Sequence, residues 1–154
     1  MPGAILTDMD SEARLSPADA RQRAERAARL LAQDQRVSLV YLFGSAAEPS
    51  RTSIRDVDLA VLTDPHLTLE ELTRRRADLV SATGAPVDLV SLSEASIVLA
   101  YEVVESGVCL YARTPEVETE FVTRARARYW DFKPYRDEQW RLAGERLAER
   151  RLGS

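Results

Sequence analysis

Val37-Ser38-Leu39-Val40-Tyr41-Leu42-Phe43-Gly44-Ser45, then ten residues, then Asp56-Val57-Asp58-Leu59-Ala60-Val61-Leu62 is the stretch that decides the fold. Val37–Phe43 is a short run of apolar and β-prone residues, as in a buried strand. Gly44-Ser45 ends it in a tight turn. A polar excursion follows, and a second apolar strand opens with carboxylates at alternate positions. On a strand Asp56 and Asp58 leave the same face, with Cα atoms roughly 6.6 Å apart. Val57, Leu59 and Val61 then point into the core.

Working outward, the pattern alternates. Ser16-Pro17-Ala18-Asp19 reads as a capped helix start, with Ala20, Ala24, Ala27, Ala28 and Leu31 along one face. Thr63-Asp64-Pro65 breaks the second strand. Thr68-Leu69-Glu70-Glu71 is a capping box that opens a helix carrying Leu69, Leu72, Leu79 and Val80 and ending near Gly84. Val87–Leu92 is a third strand. Ser93 is expected to cap a helix through Glu105, Gly107 stops it, and Val108–Tyr111 makes a fourth strand. Thr114-Pro115 opens a last helical region, which Pro134 is expected to interrupt before a second helix reaches about Leu152. The expected architecture is a single α/β (α+β) domain over 16–152, with a small mixed sheet, flanking helices and a C-terminal helical extension. Residues 1–15 read as a flexible leader.

The totals narrow the classes. A chain of 154 residues with 45% hydrophobic residues has enough apolar surface for one core. No run approaches the roughly 20 apolar residues of a membrane span, and the start lacks the pattern of a secretory signal. The one cysteine, Cys109, reads as a core thiol and fits a reducing, cytoplasmic setting. A net charge of −4 argues against a long polynucleotide ligand and against direct nucleic-acid binding.

The acids carry the chemistry. Two carboxylates on one face repel unless a cation or a proton relieves them. Mg²⁺ binds through one or two carboxylates plus substrate phosphates, and two such ions can clamp an in-line displacement. Asp88, in the third strand, would stand beside Asp56 and Asp58 if the two strands are neighbours. There it could take the proton of an attacking hydroxyl and help hold metal. Gly44 and Ser45 would bring backbone N–H groups to a triphosphate.

These residues resemble the minimal nucleotidyltransferase antitoxins of the DNA polymerase β-like superfamily, whose motif is Gly-Ser, ten residues, Asp-x-Asp. The similarity includes the acidic third strand Val87-Asp88-Leu89-Val90 and the run Tyr129–Tyr135. The resemblance implies transfer of AMP from ATP, with Mg²⁺, to a tyrosine hydroxyl of a HEPN-domain ribonuclease toxin. It also implies a hetero-oligomer with that toxin. Asp56, Asp58 and Asp88 would be the catalytic and metal-holding acids, and Gly44 and Ser45 would seat the nucleotide. Where relatives often carry Arg-Gly after the Gly-Ser-x-Ala segment, Glu48 and Pro49 stand here. Arg51 and Arg55 are the expected substitutes for that positive charge. Two alternatives are a binding module that occludes the toxin without chemistry and a small-molecule nucleotidyltransferase.

His66 is expected on a surface turn, and Arg74, Arg75 and Arg76 on the exposed side of their helix. Arg124, Arg126 and Arg128 are read as largely solvated. Tyr129, Trp130 and Phe132 are expected to close the core at the helix break, with a partner interface as the alternative.

Overall fold

The structure, a computed structural model, describes residues 14–153. Most of the expected leader lies outside the described residues. Leu15 is tied down: it exchanges backbone hydrogen bonds of 2.7 and 2.9 Å with Ile54.

Helix α1 (Pro17–Leu31) starts at Ser16, whose hydroxyl accepts the Asp19 N–H at 3.1 Å. Its buried face is Ala20, Ala24, Ala27, Ala28 and Leu31. Small side chains there let the helix axis come close to the sheet. Strand β1 (Val37–Phe43) is buried along all but its last residue, because both of its faces are covered. A 3₁₀ turn (Gly44–Ala47) follows, then β2 (Val57–Thr63). Asp56 therefore lies one residue before the strand rather than on it. Helix α2 (Leu69–Thr83) has both halves of its capping box, Glu71 N–H to Thr68 Oγ1 at 3.1 Å and Thr68 N–H to Glu71 Oε2 at 2.8 Å. Gly84 ends it in the left-handed region, φ 68°. Leu69 and Val80, both expected on the apolar face, stand exposed, Leu69 as the first helical residue and Val80 at the rim of a cleft.

Strand β3 (Val87–Ser91) lies parallel to β2, and β4 (Val108–Ala112) antiparallel to β1, giving the order β3-β2-β1-β4. One side of the sheet packs its Val37, Val57, Leu59 and Val61 on α1 and α2. The other packs Leu39, Tyr41 and Ala60 on Val103, Phe121 and Ala125 of the two later helices.

Helix α3 (Ile97–Ser106) is capped by Ser96, not Ser93. Hydrogen bonds from Leu92 N–H to Val61 O and from Glu94 N–H to Ser91 O hold residues 92–94 to the sheet end, so the helix starts later. Helix α4 (Pro115–Leu152) runs through Pro134 without a break. Trp130, whose carbonyl loses its partner there, is exposed like Pro134, so water can take the freed bond. Trp130 is consequently not core; it is 57% exposed. Tyr129 stacks on Tyr101 with ring centroids 3.7 Å apart, joining α4 to α3. Cys109 is only partly buried, because β4 is an edge strand.

Candidate active site

The register of β2 with β3 pairs Asp58 with Asp88 side by side. In a parallel pair such partners present their side chains to the same face. Asp56 stands just ahead, at the mouth of β2. Burial pushes the Asp58 acid above the ordinary carboxylate range, and the charges of Asp88 and Asp56 push it further in the same direction. Asp58 therefore lies within electrostatic reach of both other acids. They open on a cleft of about 620 Å³, floored by Val87 and walled by Gly84-Ala85-Pro86 at the end of α2.

Gly44 reaches the same place from β1, since Phe43 is the register partner of Asp58. Its φ is +71°, and a Cβ there would fall inside contact distance of Asp58 Oδ2. Two separate facts thus require glycine: the left-handed backbone and the carboxylate packed against it. Ser45 and Ala46 continue into the 3₁₀ turn, and Glu48 N–H closes it on Ser45 O at 3.2 Å.

The two arginines expected to serve a triphosphate are placed differently. Arg51 Nε binds Glu48 Oε2 at 2.9 Å, so the acid in the loop and its nearest base neutralise each other. Arg55 is exposed and ion-paired to none of the described residues. Neither lines the cleft.

The cation that does line it is Arg76. Its Nε donates to Val87 O at 3.0 Å, and Nη1 stands 3.8 Å from Asp88 Oδ1. The run Arg74-Arg75-Arg76 splits three ways. Arg74 pairs with Glu70, Arg75 crosses to Asp34, and Arg76 turns to the cleft. Arg76 is exposed, as the sequence led one to expect, but its place at the cleft was not foreseen. It lies four residues after Leu72 and three before Leu79, beside the apolar stripe of α2, and its exposed side chain reaches the start of β3. Asp88 also accepts its neighbour Leu89 N–H at 3.1 Å.

The donor set suits a hard cation. Among the described residues no three His, Cys, Asp or Glu side chains converge on one ion position. Two carboxylates completed by phosphate oxygens are the usual way such a site holds Mg²⁺, and the mutual repulsion at Asp58 is what a cation would relieve.

The profile of the family described as Polymerase beta, Nucleotidyltransferase matches residues 25–116, a span that holds every one of these groups. The chain belongs to this nucleotidyltransferase family. Among curated nucleotidyltransferases, the protein adenylyltransferase MntA of Shewanella oneidensis is 36% identical over 85 residues, 54% of this chain. The chain spans 60% of the length of that relative. Two solved structures are similar over nearly the whole of their own chains. One is a toxin–antitoxin with AMP-PNP (28% identity, TM-score 0.70, covering 77% of this chain and 97% of that one). The other is an MNT antitoxin in complex with a tri-AMPylated Shewanella oneidensis HEPN toxin (27% identity, TM-score 0.68, covering 80% and 98%).

Proposed function

We propose that this protein is a cytoplasmic, Mg²⁺-dependent adenylyltransferase that moves AMP from ATP to a tyrosine hydroxyl of a HEPN-domain toxin. The observation that carries this reading is the gathering of Asp56, Asp58 and Asp88 at one end of β2 and β3, with Gly44 packed on Asp58. Similarity to MntA and to antitoxins solved with AMP-PNP or an AMPylated toxin supports the donor and the acceptor.

In the transfer, the acceptor oxygen forms a bond to the α-phosphorus of ATP, and the bond from that phosphorus to the β-phosphate bridging oxygen breaks. Pyrophosphate leaves. Asp88 takes the proton of the attacking hydroxyl. Asp56 and Asp58, completed by phosphate oxygens, would hold Mg²⁺, which would supply positive charge to the phosphates. Gly44 and Ser45 admit the triphosphate by close backbone approach, and Arg76 adds a fixed guanidinium at the cleft wall. The same acceptor can receive AMP more than once, as the relative's tri-AMPylated partner did.

The occluding-module reading draws on the exposed Trp130, Tyr135 and Trp140 of α4, side chains suited to gripping a partner with or without chemistry. Labelled ATP, Mg²⁺ and the cognate toxin separate the two. Label is expected on the toxin with the native protein and absent with Asp56→Asn, Asp58→Asn. An unlabelled toxin, both proteins being folded, refutes transfer. Neutralisation that survives the double substitution favours occlusion.

A further inference from the structure

A second groove lies beside the cleft. It measures about 360 Å³ and is lined by Gln22, Arg23, Arg26, Arg29 and Thr83. Three of the five residues are arginines and none is a carboxylate. The two sites adjoin: Thr83 lines the groove, and the next residue, Gly84, lines the cleft. Arg23 spans the joint. Its Nη1 donates to Thr83 O at 2.7 Å and lies 3.2 Å from where a Gly84 Cβ would stand.

The arginines have different commitments. Arg23 is partly buried and fixed to the end of α2. Arg26 and Arg29 are exposed and make no ion pair with any described residue, whereas the neighbouring Glu25 is taken by Arg21. At 1.5 Å per residue, Arg23, Arg26 and Arg29 form a slanted row that rises about 9 Å along the helix axis. That length suits two successive phosphates of an unstacked nucleotide chain.

We propose that this groove holds the phosphodiesters of AMP units already joined to the acceptor, and so allows the chain of AMP to grow. This rests on the adenylyl-transfer reading above. In a second round, a ribose hydroxyl oxygen of the first AMP bonds to the α-phosphorus of a new ATP, pyrophosphate leaves, and the hydroxyl proton passes to Asp88. The product gains one negative charge per round, next to a groove whose unpaired charges are positive. The groove has no aromatic side chain, so binding rests on charge without stacking and is weak in free solution. A product tethered to the docked acceptor has an effective concentration in the millimolar range, so weak binding is enough. The overall charge of −4 disfavours long nucleic acid but leaves this short, local cation row intact.

The test uses 5′-labelled tri-adenylate and the full chain. Wild type is expected to bind it, with affinity falling as salt rises by a log–log slope of about −0.7 per phosphate contact. Arg26→Glu, Arg29→Glu should lose at least about tenfold in affinity, and Arg26→Gln, Arg29→Gln should make the slope less steep by about 1.4. ATP binding in the cleft should not change. With toxin and ATP, the mass of the acceptor should show the first AMP at the wild-type rate and the second and third depleted. Unchanged tri-adenylate binding in both variants, equal displacement by a poly-glutamate peptide, or an unchanged product distribution overturns the proposal. If wild type binds tri-adenylate through these arginines but labels no toxin, the transfer reading fails and the groove stands as an oligonucleotide site.

Discussion

Gly44→Ala is the sharpest perturbation of the site, because the structure separates its effect into two parts. The first is backbone strain. At φ +71° an alanine costs about 1–2 kcal/mol in the left-handed region. The second is collision. The new Cβ would overlap Asp58 Oδ2, so the half-buried carboxylate would have to turn away from its present position. Overpacking of that kind costs about 1–3 kcal/mol. The sum, about 2–5 kcal/mol, should appear in urea unfolding of the single variant. In an Asp58→Ala background only the strain remains, so the same substitution should cost about 1–2 kcal/mol, a coupling of about 1–3 kcal/mol. Activity should fall by more than the stability loss explains. A carboxylate moved by about 1 Å is enough to lower turnover about 100-fold. Acceptor labelling is measured by mass at a temperature where the variant is folded. Equal destabilisation in both backgrounds, or full labelling by Gly44→Ala, refutes the claim that glycine is needed to seat Asp58.

Other outcomes follow from the same contacts. Arg76→Ala should lower kcat/KM for ATP about 100-fold, a loss of roughly 2.7 kcal/mol, without unfolding the protein, and Arg76→Lys should recover only part of it. Asp34, gripped first by the Arg36 guanidinium and also by Arg75, has its acid held down to about 2. Its contribution to stability is therefore present above the ordinary carboxylate value of 3.8 and is lost as pH falls through about 2. Asp34→Asn should cost on the order of 1–2 kcal/mol at pH 7 and flatten the acid limb of a stability–pH curve between these values. Pro134→Ala should keep activity and raise helix stability by up to about 3 kcal/mol, read by circular dichroism during heating. A fall in helicity would contradict the continuous α4.

Most of the fold was legible because its signals are local. The Ser16 and Thr68 caps, the alanine face of α1 and the apolar runs of β1 and β2 act within a few residues of themselves. The third acid was legible as a residue but not as a neighbour. Asp88 meets Asp58 only through the parallel pairing of β2 and β3, and no local pattern states which strands adjoin. The errors have physical causes of the same kind. Ser93 looks like a cap, yet its segment is held to the sheet end by one tertiary hydrogen bond, from Leu92 to Val61, and a local turn. Pro134 breaks a helix in a dry interior but is tolerated on a wet one. Arg76 is exposed as expected, but its reach to Val87 O and Asp88 depends on where β3 lies, which no local pattern states. Arg51 was assigned to a phosphate, and Glu48, three residues away, claimed it.

The pairing of Asp58 with Asp88 ties the site to the packing of the domain. Were β3 to slip by one residue, Asp88 would turn to the opposite face, among the groups that meet α1 and α2. Val87 or Leu89 would take its place beside Asp58. Such a slip would both erase the acidic cluster and bury a charge in the core, so misregistered molecules would be unstable as well as inactive. Every chain that folds stably thereby carries its acids in alignment, and the hydrophobic core acts as a proofreader of the catalytic geometry.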